Sequence, residues 1–332
     1  MTTQLIKVRD LRKTFTFSKG SIFGKRIGRV VAIDDVNFEI REGEILGCVG
    51  GSGSGKSTLG RAILRLIPSD KGSVTFDDVD LMTLSDDDLR LHRKEMQIVF
   101  QDPLNSLNPR RTVAENIARP MLNFGYSRNE AEEYIRELLE RVRLDPGHAN
   151  RYPHEFSGGQ CQRIGIARAL ALRPRFLFLD EPVSALDVSI QAQILNLLSD
   201  LQEKMNLTYL FVSHDLNIVK HFSHRVLVLY HGQIVETGKS EEVYDNPKHP
   251  YTKTLLDSVL KIEGGDAWEK VSVRTGTLSD NEDVESALRA KVSAERGCIY
   301  AATCSERLEQ CVHEVPEFRE VGPRHGVACH LY

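Results

Sequence analysis

Residues 50–58 read GGSGSGKST, a glycine- and serine-rich run that ends in Lys56, Ser57 and Thr58. The string fits G-x-x-x-x-G-K-[ST]: glycines such as Gly50, Gly53 and Gly55, with Ser52 between them, let backbone N–H groups close around phosphate oxygens. Lys56 supplies positive charge to the terminal phosphates of a nucleotide, the Ser57 hydroxyl is placed to ligate Mg²⁺, and the helix that follows turns its N-terminus to the anion. A second reactive group lies in FLFLDEP, residues 176–182. Its apolar run delivers Asp180 and Glu181 to a strand end, where Asp180 can hold the metal's water shell and Glu181 can orient or deprotonate an attacking water. Carboxylates after a strand often only cap the next helix. With a phosphate loop upstream, hydrolysis is the stronger reading.

These groups need elements to aim them. Ile45–Val49 is an apolar strand before the glycine loop, and Leu59, Ala62, Ile63 and Leu66 follow it at helical spacing. Alternating segments near Leu5–Leu11 and Val30–Ile40 predict an N-terminal antiparallel region, with FSKGSIFGKRIGR between them as a hairpin loop. Val74–Phe76 and Ile98–Phe100 read as further strands. Residues 112–172 read as helical, with Ser127 and Glu130 as a capping box ahead of Tyr134, Ile135, Leu138, Leu139 and Val142. Phe176–Leu179, Tyr209–Val212 and Val226–Leu229 are short and unalternating, which suits buried parallel strands. A helix over Val188–Lys204 crosses between the first two, giving a βαβ unit.

Composition excludes several classes. The longest apolar runs fall well short of the ~18 residues that span a bilayer, and MTTQLIKVRD carries no apolar signal segment. The expectation is a soluble, cytosolic chain. Residues 1–260 hold 34 basic and 34 acidic side chains, and residues 261–332 hold 9 and 13, so neither part has the basic excess of a nucleic-acid binder.

FSGGQ at residues 156–160 and VSHD around His214, in order and spacing with the two strings above, resemble the ATP-binding-cassette family. The resemblance implies an α/β P-loop NTPase with a mostly parallel, RecA-like sheet, an N-terminal antiparallel β subdomain and an inserted helical subdomain at about 103–172. It makes the nucleotide ATP. Gln101 is then the Q-loop glutamine, near γ-phosphate and metal, and His214 the switch histidine. Phe15 resembles the aromatic that stacks on adenine, with Phe17 close enough to leave the choice open. Ser157, Gly158, Gly159 and Gln160 form the signature, a helix start that faces the nucleotide of an opposite subunit, and Asp187 is the D-loop residue at the same interface. Phe156 stands where leucine is commoner. Cys161 stands where a basic residue is frequent, and its place at a helix start allows some thiolate character, with inert packing favoured. His221, His224 and His231 have no ligand spacing.

YPHEFSGGQ, QDPLNSLNPR and HPYTKTLL narrow the resemblance to ATPase subunits of bacterial dipeptide and oligopeptide importers, over about the whole length. That implies a second cassette, most simply a related sister chain, two transmembrane permease subunits and, through them, an extracytoplasmic substrate-binding protein, with this chain on the cytoplasmic face of the membrane. Nickel, glutathione or another peptide-like cargo fits the same motifs. A soluble cassette of DNA repair or translation is the competitor from another class, and a redox-sensing regulator is a third. The division expected is a cassette over 1–262, a Gly-, Ser- and acid-rich linker over 263–290 and an extension over 291–332. There Cys298, Cys304, Cys311 and Cys329 lie as C-x5-C-x6-C-x17-C. Four clustered thiols in a cytosolic chain read as metal ligands ahead of disulfides. The spacing is not that of a paired-knuckle zinc ribbon, and members of this branch carry a four-iron four-sulfur cluster here, so the cluster is preferred to zinc.

Overall fold

The computed structural model describes residues 3–21, 24–263 and 297–332. The chain opens with strands β1 (Gln4–Ser21), β2 (Gly24–Arg41) and β3 (Ile45–Val49), and β3 leads into α1 (Lys56–Ile63). β4 (Lys71–Phe76), β5 (Val79–Asp80) and α2 (Asp86–Arg93) precede β6 (Met96–Val99). Helices α3 (Pro103–Ser106), α4 (Val113–Asn123), α5 (Arg128–Arg141) and α6 (Gly158–Leu170) follow, then β7 (Phe176–Asp180), α7 (Val188–Met205) and β8 (Thr208–Val212). The rest is α8 (Leu216–Phe222), β9 (Arg225–Tyr230), β10 (Gln233–Lys239), α9 (Ser240–Asp245), α10 (Pro250–Glu263), β11 (Phe318–Gly322) and β12 (His325–Ala328).

Contacts divide the chain into two compact units, Met1–Lys7 with Glu39–Leu46 and Thr75–Ser213, and Val8–Phe38 with Gly47–Val74 and His214–Tyr332. In the first, the strand order is β3-β8-β7-β6, with β3 contributing its opening residues. β6 and β7 pair in parallel with Met96 opposite Phe176, and β7 and β8 with Phe176 opposite Thr208. Every residue of β7 and β8 is buried, which is why FLFLD and TYLFV read as unbroken apolar runs. Helix α7 connects them as expected. The helical stretch also matches: α4 packs against α5 and α6. Thr112 with Glu115 and Ser127 with Glu130 form reciprocal capping boxes, which fix where α4 and α5 begin.

The second unit carries the order β11-β12-β10-β9-β3, with the closing residues of β3. Here the expectation fails in part. β9 is buried but pairs antiparallel with β10, Tyr230 opposite Gln233, and β10 and β12 are also antiparallel, so the sheet is mixed. The cause is the two-residue turn His231-Gly232, both at positive φ (43° and 87°), a hairpin geometry that returns the chain beside itself. Parts of a four-stranded sheet, β2-β1-β4-β5, fall in each unit, and the β4–β5 pair is antiparallel. Residues 17–29, expected as a loop, are strand up to Ser21 and again from Gly24. Neighbouring strands satisfy one another's backbone groups, so a ladder can outrun its apolar pattern. The expected linker lies, beyond Glu263, outside the described residues.

Candidate functional site

In the second unit, the buried strand β3 ends at the glycine loop and α1 begins at Lys56. Gly53 has φ 71° and Gly55 φ 105°, both in the region that favours glycine. A Cβ on Gly55 would stand 2.3 Å from the carbonyl oxygen of Ala32, so this position also needs the missing side chain. Lys56 is buried, and its Nζ donates to the carbonyl oxygens of Gly50 at 2.8 Å and Gly51 at 2.9 Å. The ammonium is thus parked on its own loop, where it needs only to swing outward to meet an anion. Ser52 is exposed, and Ser57 and Thr58 are half-buried in the first turn of α1. A glycine-lined loop with a cation at its centre and a helix start behind it fits a polyphosphate.

The same unit holds two other expected residues. Phe15 is exposed on β1, with Lys13 Nζ 5.2 Å from its ring centroid, an aromatic face available for stacking. The side chain of Phe17 lies outside the described residues. His214 is exposed just before α8, whose start is capped by Asp215 accepting from Asn217 N at 2.9 Å and Ile218 N at 3.2 Å.

In the first unit, β7 delivers Asp180 to a position 2% exposed. Glu181 follows at φ 47°, a left-handed conformation that costs a non-glycine residue on the order of 1 kcal/mol. Its N–H donates to Val212 O at 3.0 Å, and Ser184 donates to its carbonyl through N at 3.3 Å and Oγ at 3.1 Å. Those bonds hold the sharp turn that throws the carboxylate clear of the strand. Gln101, exposed beyond β6, donates from Nε2 to Glu181 Oε2 at 3.2 Å. Residues 80 apart in sequence are therefore one polar pair, a carboxylate and the amide that aims it.

Ser157 caps α6 in a third capping box, accepting from Gln160 N at 3.4 Å while its own N donates to Gln160 Oε1 at 2.9 Å. Ser157 is exposed, and so are Asp187 and Val188 at the start of α7. Gly159 packs where a Cβ would meet Ile190 Cγ2 at 2.4 Å, so the two helix starts touch only because that residue is glycine. Cys161 takes the packed alternative favoured over thiolate character. It is buried, its Sγ donates to Pro153 O at 3.4 Å, and burial pushes the thiol pKa up, so it packs as an inert residue.

The cysteines of the C-terminal segment lie together, and all of them are described. Cys298, Cys311 and Cys329 are buried, Cys304 is half-buried, and all are free thiols. Burial pushes the pKa of Cys298, Cys304 and Cys329 up, and the negative charge of the neighbouring cysteines pushes the same way. The four therefore gather in one small region. Yet among the described residues no group of three or more His, Cys, Asp or Glu is arranged to hold a metal ion. As they stand the thiols do not form a ligand set for an iron–sulfur cluster or for zinc. The segment is held by other means: Cys298 N donates to Cys311 O at 2.8 Å, Lys253 pairs with Glu306 at 3.0 Å, and buried His325 meets buried Glu236 at 2.7 Å.

Comparison with known proteins fixes the family. The model described as ABC transporter matches residues 33–184, and that of the oligopeptide/dipeptide transporter C-terminal region matches 235–311. The oligopeptide transport ATP-binding protein AppF of Bacillus subtilis (strain 168) is 46% identical over 331 residues, 99% of this chain and 97% of that one. This chain belongs to the ABC transporter ATP-binding family. The oligopeptide transport ATP-binding protein OppD of Mycobacterium bovis is 53% identical over 255 residues, 77% of this chain and 42% of its own length. Among solved structures, the cassette MJ0796 as a post-hydrolysis dimer bound to ADP and Pi aligns with TM-score 0.62 and 34% identity, covering 71% of this chain and 99% of that one. The cassette fold, with its antiparallel β region and mixed sheet, follows. No helix among the described residues is long and apolar enough to cross a membrane.

Sequence reasoning missed part of the loop's support. The hydroxyl of Tyr251 accepts from Gly51 N at 2.8 Å, and Tyr300 packs on Tyr251. HPYTKTLL pointed to the family, but nothing in its residue types pointed to the phosphate loop. Buried Glu236 was missed as well; a lone acid inside a strand is the only signal it offers.

Proposed function

We propose that this chain is the ATP-hydrolysing subunit of an importer for dipeptides or oligopeptides. The supporting observation is the extent of the match to an oligopeptide transport ATP-binding protein, which runs through the cassette and the cysteine-rich end alike. The cassette occupies 1–262 and the extension 291–332. Lys56 neutralises the β- and γ-phosphates of ATP, the backbone from Gly50 to Gly55 with Ser52 and Thr58 cradles them, and Phe15 stacks on the base. Ser57, Gln101 and Asp180 are the groups suited to Mg²⁺, which would supply charge neutralisation at the transferred phosphoryl group. Glu181, aimed by Gln101, takes the proton of the attacking water, and His214 holds the γ-phosphate end.

The exposed starts of α6 and α7 complete the site in trans. Ser157, Gly158, Gly159 and Gln160 meet the nucleotide of a sister cassette, and Asp187 crosses the same interface. A cleft of about 510 Å³ in the first unit, lined by Gln97, Phe100, Arg111, Arg119 and Arg168 among others, receives the permease. The assembly thus sits at the cytoplasmic face of the membrane, with two permease subunits and an extracytoplasmic binding protein as partners. Purifying the complex and identifying its subunits tests this. Two membrane proteins and a second cassette are expected, and a chain isolated with DNA or ribosomes would overturn it.

We also propose that the four thiols draw together around a four-iron four-sulfur cluster when iron and sulfide are supplied. Their gathering in one region supports this, although burial disfavours the thiolate form that a metal needs, so the metal must itself draw off the protons. Anaerobic protein should then carry about four irons per chain, and Cys304→Ser should lose them. Colourless protein with one zinc would assign zinc instead, and metal-free protein would end the reading.

A further inference from the structure

Tyr251 and Tyr300 have no part in the cassette motifs, yet they connect the phosphate loop to the cysteine segment within one unit. The peptide linking Gly50 and Gly51 is held at both ends. Its oxygen accepts from Lys56 Nζ at 2.8 Å and its N–H donates to the Tyr251 hydroxyl at 2.8 Å. When Lys56 turns toward an anion it releases the oxygen, and the Tyr251 bond is then what keeps this peptide from rotating. Tyr251 is itself buried, and its backbone N donates to His249 Nδ1 at 3.0 Å. Its ring lies 4.4 Å from that of Tyr230 and 5.5 Å from that of Tyr300. Tyr300 stands edge-on to Tyr230 at 5.3 Å and lies between Cys298 and Cys304 in sequence. Thr254 Oγ1 gives its proton to Pro250 O at 3.0 Å, so the Tyr300 hydroxyl donates to Thr254 at 3.2 Å.

We propose that Tyr251 is a positioning residue for the phosphate loop, and that Tyr300 carries the packing state of the four-cysteine segment to it. The claim rests on the ATPase reading above. A peptide held in place before the nucleotide arrives lowers the ordering cost of binding and leaves the chemical step alone. The effect therefore belongs in KM and Kd for ATP and not in kcat.

The test is ATP affinity of the full chain and the kinetics of the assembled complex. Tyr251→Phe keeps the ring and removes only the acceptor, and should raise Kd and KM about fivefold, the worth of one net hydrogen bond, with kcat within twofold. Tyr300→Leu should raise both about threefold. The double variant should be no weaker than Tyr251→Phe alone, because the second change acts through the first. If Tyr300→Leu fails to fold, Tyr300→Phe, which loses only the bond to Thr254, should give a smaller shift of the same kind. Unchanged ATP affinity in Tyr251→Phe, or simple additivity in the double variant, would overturn the proposal. A wild-type chain that binds no ATP would instead overturn the functional reading beneath it.

Discussion

The phosphate loop and the four-cysteine segment both concentrate chemistry-bearing groups in a short stretch, and they treat those groups in opposite ways. In the loop, glycines strip away side chains and leave the backbone to do the binding, and Lys56 rests on the carbonyls of Gly50 and Gly51, one rotation from a ligand. In the segment, three of the four thiols are buried and the fourth is half-buried, and burial pushes the pKa of Cys298, Cys304 and Cys329 up. One region is poised and the other is packed. A contiguous string fixes backbone geometry by itself, whereas four cysteines spread over 32 residues fix nothing until the intervening chain has folded.

The largest effect should come from the poised side of that contrast. Glu181→Gln keeps the shape of the Gln101 pair and loses the base, so phosphate release by the complex should fall ~10³-fold, within the range of general-base removal. ATP affinity should stay near wild type. Near-normal release would remove Glu181 from catalysis and make its strained backbone unexplained. Next is Ser157→Arg, which fills the exposed start of α6. Hydrolysis at the composite site should fall ~10²-fold, comparable to loss of a donor that stabilises developing charge, while ATP bound to this chain's own loop keeps its affinity. A mixed complex with one labelled nucleotide reads the difference, and loss confined to this chain's own nucleotide would refute the arrangement in trans.

A smaller effect should mark the packed side. Glu236 is fully buried and accepts from Lys248 N at 2.8 Å and His249 N at 2.9 Å while meeting His325. Glu236→Gln turns an amide NH₂ toward a buried donor and should cost about 2–3 kcal/mol. Hydrogen exchange should show the loss at β12 first, and ATP turnover should change by no more than a few-fold. A collapse of turnover with an unchanged β12 would erase the contrast between the regions. Least of all, Cys161 should resist alkylation at neutral pH because burial raises its pKa and hides its sulfur.

The contrast also explains what could be read in advance. Strand, loop and helix around Lys56 were legible because Gly53, Gly55 and the flanking apolar runs all act locally. So was α5, whose start is written in Ser127 and Glu130. The antiparallel turn after β9 was written in His231-Gly232, a weaker hairpin signal than Asn-Gly. Pairings over long separations were not legible: Gln101 with Glu181, Gly51 with Tyr251 and Glu236 with His325 join residues 80, 200 and 89 positions apart. No periodicity encodes such a pair. The cysteine spacing has the same limit, since it states how many thiols there are and not how far apart the sulfurs lie.

The central claim is that ATP hydrolysis by this chain drives peptides across a membrane. Its most direct test is uptake of a labelled oligopeptide into vesicles carrying the reconstituted complex, with ATP on the side of this chain. Accumulation that needs ATP and disappears in Glu181→Gln is the expected result. Equal accumulation by wild type and Glu181→Gln, or ATP turnover with no peptide movement for any peptide length supplied, would contradict it.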